Sequence, residues 1–202
     1  RLYRTLFDTL SHEFRTPVAA IMGAADQLDL HAGEGEARLA EIVREIREGT
    51  DRLNTLVQNL LDMTRLESGL LKIRRSWCDV SDLVGTAVRK LDEVLRHHDI
   101  RIAVSGSLPL IQADQGLLEQ ALVNIIRNAV VHGEGATMIA IEARAEGDEC
   151  VLTVSDNGKG IPAAEVDRVF QKFFRGKYTR AGGTGLGLSI VQGIVLAHGG
   201  TV

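Results

Sequence analysis

Between Leu39 and Met63 the apolar residues fall into two interleaved seven-residue series: Leu39, Ile46, Leu53 and Leu60 in one, and Ile42, Leu56 and Met63 in the other, with Gly49 in the gap of the second. A heptad repeat of this length lays one narrow apolar stripe along a helix, and another helix has to cover such a stripe. Charges such as Glu41, Arg44, Glu45, Arg47, Glu48, Asp51 and Arg52 fill most of the remaining surface. The preceding segment, roughly Leu2 to Leu30, offers a stripe of its own in Leu6, Leu10, Phe14, Val18, Ile21 and Leu28, and HAGEGE between the two supplies the glycines of a helix-to-helix turn. The pair reads as a helical hairpin. Each helix has only one face to bury, so the expected closure is a homodimer in which two hairpins form a four-helix bundle. A hairpin packed on the rest of its own chain is the alternative.

Within the first helix, LSHEFRTP sets His12 beside Glu13 and ends on Pro17. Proline lacks a backbone donor and crowds the carbonyl four residues earlier, so the helix should bend or loosen about one turn beyond His12.

The 202 residues are 45% hydrophobic, enough for one large domain or two small ones. A net charge of −4 gives no general attraction for nucleic acid or anionic lipid, so an anionic ligand must be held by local geometry. No nucleic-acid partner is expected. Cys78 and Cys150 lie far apart without metal-ligand spacing, which fits core or surface thiols in a reduced, cytoplasmic protein. No apolar run approaches the ~20 residues of a membrane span, so membrane association is expected only through regions absent from this chain. Arg1 opens directly into an amphipathic pattern, and HGGTV reads as a helix end, a glycine turn and the start of a strand. A piece of something longer is expected, with a sheet edge left exposed.

After SGLL the pattern changes. KIRRSW looks extended, Val80 to His98 helical, IRIAV extended and Asp114 to His132 helical again; TMIAIEARA and ECVLTVSD form a strand pair around the Gly147-Asp148 turn. This half is mixed α/β. From Asn157 to Gly187 the chain is rich in glycine and basic residues with little periodicity, as in a functional lid, and Leu188 to His198 resumes as an apolar helix.

Three stretches of this half bear chemistry. In NIIRNAVVH, Asn124 and Asn128 are four apart on an otherwise apolar helix and project from one face, where an amide oxygen could ligate Mg²⁺ beside phosphates or the two amides could bond each other. In DNGKGIP, Asp156 ends a strand and precedes Gly158 and Gly160. The carboxylate can accept from an exocyclic amine such as that of adenine while the glycines let backbone approach a flat ligand, although DNGKG is also a plausible turn. In GGTGLGLS, Gly182 to Gly187 lead into a helix whose free amides and positive end favour phosphate, but a lone glycine loop is weak evidence. Lys159, Lys172, Arg175, Lys177 and Arg180 lie between the glycine loops as triphosphate cations or as a solvated basic loop.

The order of these motifs decides what none decides alone. With SHEFRTP as the H box, NIIRNAVVH as the N box, DNGKGIP as the first G box, FQKFF as the F box and GGTGLGLS as the second G box, the chain resembles the sensor histidine kinases of two-component systems over nearly its whole length. RLNTLVQNLLDMTRLESG and VLAHGGTV are similar to the Kdp-type osmotic and potassium sensors within that family. The resemblance implies an α+β protein of two domains: a dimeric histidine-phosphotransfer bundle at 1–69, and at 70–202 an α/β sandwich of the gyrase, Hsp90, histidine kinase and MutL (Bergerat) class with three helices over a mixed sheet, joined by a linker near 68–78.

It also implies ATP and Mg²⁺ as cofactors, Asn128 as the metal residue with Asn124 on the same face, and Asp156 as the adenine reader. Gly158, Gly160, Gly183, Thr184, Gly185, Leu186 and Gly187 shape the pocket. Phe170, Phe173 and Phe174 anchor the lid, and Lys172 and Arg175 approach the phosphates. His12 becomes the phosphoryl acceptor, Glu13 fixes its tautomer and takes up developing positive charge, and Thr16 is placed to orient a water against a phosphorylated response regulator or is a surface threonine before proline. The sequence departs from the family at Val131, where a basic residue is common, at His132, where an aromatic one is, and at Arg127, where an acidic one is. His132 is then the side chain left to stack on adenine. The expected activity is ATP-dependent autophosphorylation of His12 and transfer to a response-regulator aspartate. The alternatives are a module that binds nucleotide without transferring phosphate and a hydrolytic ATPase, which the histidine-bearing hairpin argues against.

Overall fold

The computed structural model describes residues 2–30, 36–68, 71–133, 135–176 and 185–202; the side chains of 2–13, 29–30 and 36–37 lie outside that description. The chain divides into two compact units, one reaching to Thr64 and one beginning at Arg65.

The first unit is helical. α1 (Leu2–Leu30) runs unbroken through Pro17, and α2 (Glu36–Glu67) carries the heptads. The two series of the repeat have separate fates. Ile42, Leu56 and Met63 are buried together with Gly49, whereas Leu39 is 49% exposed and Ile46, Leu53 and Leu60 are only half-buried. A β carbon at Gly49 would stand 2.7 Å from Ile21 Cγ1 and 3.2 Å from the Pro17 carbonyl oxygen. The gap in the second series is therefore a point of tight approach between α1 and α2. Nearer the connection, Arg38 donates to the Gln27 side chain, which fits the same antiparallel alignment. Of the HAGEGE turn, residues 31–35 lie outside the described residues and Glu36 opens α2. Val43, Val57 and Leu61 on α2 and Val18 and Met22 on α1 remain exposed, 40% or more each, leaving the hairpin with an uncovered apolar face.

The second unit is built on a mixed three-stranded sheet. β4 (Met138–Glu146) is central, with β2 (Asp99–Val104) parallel on one side and β5 (Glu149–Asp156) antiparallel on the other. The β4–β5 hairpin turns at Gly147-Asp148, where Gly147 takes a left-handed φ of 60°. A separate ribbon pairs β1 (Ser76–Cys78) with β3 (Ile111–Ala113). Alternate residues of β4, Ile139, Ile141 and Ala143, are buried on one face beneath α3 (Val80–Lys90) and α5 (Gln115–His132), which contribute Val80, Val84, Ala87, Leu122, Ile126 and Ala129. Burying each large aliphatic side chain stabilises by about 1.5–3 kcal/mol, so this layer is what holds the unit together.

The single helix expected over 80–98 is instead α3 followed by a short α4 (Asp92–Leu95). The chain tightens at Leu91, whose N–H bonds to the Val88 carbonyl at 3.0 Å. Val84, Ala87, Leu91 and Leu95 keep helical spacing across the break and all enter the core, so periodicity passes over it. Cys78 and Cys150 are free thiols; burial raises both, and Asp79 and Asp82 raise Cys78 further.

α6 (Gly187–Ala197) packs Ile190, Val191 and Ile194 fully inside. Its far end is joined to the start of α5 by His198, whose Nδ1 donates to the Ile194 carbonyl (2.8 Å) while its Nε2 accepts from the Asp114 amide (3.0 Å). Asp114 in turn caps α5 by accepting from Leu117 N and also accepts from Arg74 N. Leu66 packs at Gly193, where a β carbon would lie 2.8 Å from its Cδ1.

Candidate active site

One face of α5 makes the core through Ala121, Leu122, Ile126 and Ala129. Asn124, Asn128 and His132, at successive spacings of four, line another. All three are half-buried. The Nδ2 of Asn124 and the Nδ1 of His132 are buried without a partner among the described residues, an unusual condition that a bound polar ligand would relieve. Burial holds His132 below the usual histidine range, and the Arg175 guanidinium acts in the same direction, so the cation from the segment after the F box faces the end of α5.

That end meets the loop after β5. Asp156 Oδ1 accepts from Gly158 N at 2.9 Å. A β carbon on Gly158 would lie 2.8 Å from that oxygen and 2.9 Å from the Gly133 backbone, and one on Gly133 would lie 3.2 Å from the same carboxylate. Two main-chain segments and a carboxylate therefore pack so closely that no side chain fits between them. Asn157, which the motif reading passed over, holds the loop in place: its Oδ1 accepts from Thr137 N (2.8 Å) and Met138 N (2.9 Å), and its Nδ2 donates to Thr137 Oγ1. The signal was available as an Asx residue ahead of a glycine turn. Gly160, with φ at 73°, continues the turn.

The F box and the second glycine loop are interlocked. Phe173 adopts a left-handed φ of 62°, costly for a bulky residue, and its N–H donates to the Gly185 carbonyl at 2.9 Å. Gly185, itself at φ 65°, passes so close that a β carbon would stand 2.7 Å from the Phe174 carbonyl oxygen and 2.8 Å from Phe173 C. Arg168 stacks on the Phe174 ring, 4.5 Å from its centroid. Leu186 is fully buried, and α6 begins at Gly187 with no side-chain cap from Leu186; helix N-terminal amides of this kind favour anions. Lys172 bonds Glu67 at 2.7 Å and would have to leave that carboxylate to reach a phosphate. Phe170 is half-buried. Gly183, Thr184, Lys177 and Arg180 lie outside the described residues.

His12 and Glu13 are consecutive residues of α1 whose side chains lie outside that description; Thr16 is exposed and Pro17 buried. Among the described residues no group of three or more His, Cys, Asp or Glu is placed to hold a metal ion. The Asn128 amide oxygen is a ligand type suited to Mg²⁺, which takes few protein oxygens and keeps phosphate and water for the rest. The exposed Asp156 carboxylate can accept from an exocyclic amine.

Residues 3–69 match the family described as the His Kinase A (phospho-acceptor) domain, and residues 113–202 match the histidine kinase-, DNA gyrase B- and HSP90-like ATPases. The chain is 36% identical to the sensor protein KdpD of Escherichia coli over 203 residues, covering 100% of this chain and 23% of KdpD. It is 32% identical to the alginate biosynthesis sensor protein KinB of Pseudomonas aeruginosa, covering 95% of this chain and 33% of KinB. It thus spans a third or less of the length of these relatives. The crystal structure of full-length ShkA in complex with AMPPNP superposes with a TM-score of 0.67 at 29% identity, over 96% of this chain and 41% of that one.

Proposed function

From the premise that the chain belongs to the sensor histidine kinases, we propose that it is the catalytic core of one, of the Kdp type, working as a homodimer on the cytoplasmic side. ATP sits with its base against Asp156 and the Gly133–Gly158 backbone and its phosphates toward the start of α6. The neutral imidazole of His12 attacks the γ-phosphorus; the N–P bond forms as the bond to the bridging oxygen breaks, and ADP leaves with that electron pair. Glu13 orients the ring and takes up the positive charge that develops on it. The phosphohistidine then gives its phosphoryl group to an aspartate of a response regulator, and Thr16 aligns a water that later hydrolyses that aspartyl phosphate to the free carboxylate and inorganic phosphate. Mg²⁺ at Asn128 screens the triphosphate charge when bound.

The observation that carries this reading is the meeting at the end of α5, where the Gly133 and Gly158 backbones close against the exposed carboxylate of Asp156. The exposed stripe of Leu39, Val43, Val57 and Leu61 supports the dimer. With γ-labelled ATP, acid-labile and alkali-stable label should appear on the wild type and vanish in His12→Gln, while nucleotide affinity stays the same. Label persisting in that variant would refute the assignment; nucleotide binding with no label on the wild type would select the inactive module.

A further inference from the structure

The heptad repeat is broken at one position, and at that position the two helices of the hairpin are in tight contact. Gly49 takes the place of an apolar residue in the buried series Ile42, Leu56 and Met63, and it is buried itself. In a helix interior glycine is a poor choice, weaker than alanine by conformational entropy. Its presence is explained on the opposite helix. A β carbon would lie 2.7 Å from Ile21 Cγ1, a distance real side chains do not show, and 3.2 Å from the Pro17 carbonyl oxygen. Neither neighbour is the free end of a flexible chain: one is the first branch of a β-branched side chain and the other is backbone. Pro17 is buried at this contact while the residues on either side of it, Thr16 and Val18, are exposed. It sits little more than one helical turn beyond His12, at the point where α1 lacks a backbone hydrogen bond and is most easily bent.

We propose that Gly49 is a positioning residue for phosphoryl transfer: it is the socket in α2 that seats the Pro17 turn of α1, and the depth of that seat sets the direction of the turn bearing His12. Filling the socket lifts the Pro17 backbone by a few tenths of an ångström and swings His12 away from the line a bound γ-phosphate needs. Phosphoryl transfer depends chiefly on such alignment, and displacements on the order of 1 Å remote from the chemistry cost up to about 100-fold in rate. ATP binding, which belongs to the other unit, is untouched.

This rests on His12 being the acceptor. The test compares Gly49→Ala, Gly49→Ala with Ile21→Ala, Ile21→Ala alone and His12→Gln in single-turnover labelling from γ-labelled ATP, with nucleotide affinity and thermal melting of each. Gly49→Ala should label about ten-fold more slowly or worse at saturating ATP, with KM for ATP and nucleotide affinity unchanged. Removing the Ile21 branch should return a large part of the rate to the double variant even though Ile21→Ala alone loosens the hairpin. A purely structural role would make rate follow melting temperature across the set, and that outcome overturns the proposal, as does a Gly49→Ala protein that labels at the wild-type rate. Should Gly49→Ala fail to fold, the double variant decides: labelling near the wild-type rate supports the socket, and labelling no faster than background refutes it. Label surviving in His12→Gln would instead remove the acceptor assignment, and this inference with it.

Discussion

The two units solve the burial problem in opposite ways. The second closes on itself: Ile139, Ile141, Leu186, Ile190 and Val191 are all 1% exposed or less, supplied by a sheet on one side and three helices on the other. The hairpin cannot close alone. Half of its heptad pattern is buried against the other helix; of the other half Leu39 is exposed and Ile46, Leu53 and Leu60 only half-buried, beside the exposed Val43, Val57 and Leu61. A sheet with helices over one face gives its inward apolar residues neighbours from the same chain, although Trp77, Ile102 and Leu196 stay exposed, whereas a pair of amphipathic helices has a second side to cover. The second unit thus has an interior of its own, and the hairpin has a face left over.

That contrast can be broken experimentally. The largest effect is expected from Ile141→Ala, which should lower the stability of the second unit by about 2–5 kcal/mol in denaturant melts and leave hairpin association unchanged. If association weakens in parallel, the units are not independent. Asp156→Asn should weaken nucleotide binding about 10- to 100-fold by calorimetry, the value of a hydrogen bond to a charged group, without a comparable loss in melting temperature. Val57→Glu should do the reverse, raising the dimer dissociation constant about ten-fold or more by sedimentation while nucleotide affinity holds. An unchanged dimer would place the covering partner on another face.

The smallest expected effect concerns pH. His132 is held below the ordinary histidine value of about 6.5 by burial and then by Arg175, so on acidification the unfolded chain takes the proton first. Its contribution is fully present above that value and is lost as pH falls toward the lowered one. His132→Phe should therefore show a smaller drop in melting temperature than the wild type between pH 7.5 and 5.5.

Much of this was legible because it is local. The heptads gave the hairpin helices, alternation gave β4 and β5, and the Gly147-Asp148 turn is where dipeptide chemistry puts it. The site motifs were legible as types. Their joining was not: nothing in the sequence pairs Gly133 with Gly158, or Phe173 with Gly185, because those close approaches occur between segments far apart in the chain. The division of the heptads into a covered and an uncovered series was also hidden, since both are written in the same alphabet of Leu, Ile and Met, and Gly49 alone marked which was which. The break at Leu91 escaped for the complementary reason, because its core residues kept the rhythm of an unbroken helix.

The imidazole of His198 has a further consequence. It spans two main-chain groups, the Asp114 amide and the Ile194 carbonyl, and no side chain takes part at either end. A flat ring of fixed width therefore acts as a spacer gauge at the rear of the α5–α6 pair. Asn128 and His132 lie toward the other end of α5 and Gly187 opens α6, so the spacing of the two helices is set at the end remote from these residues.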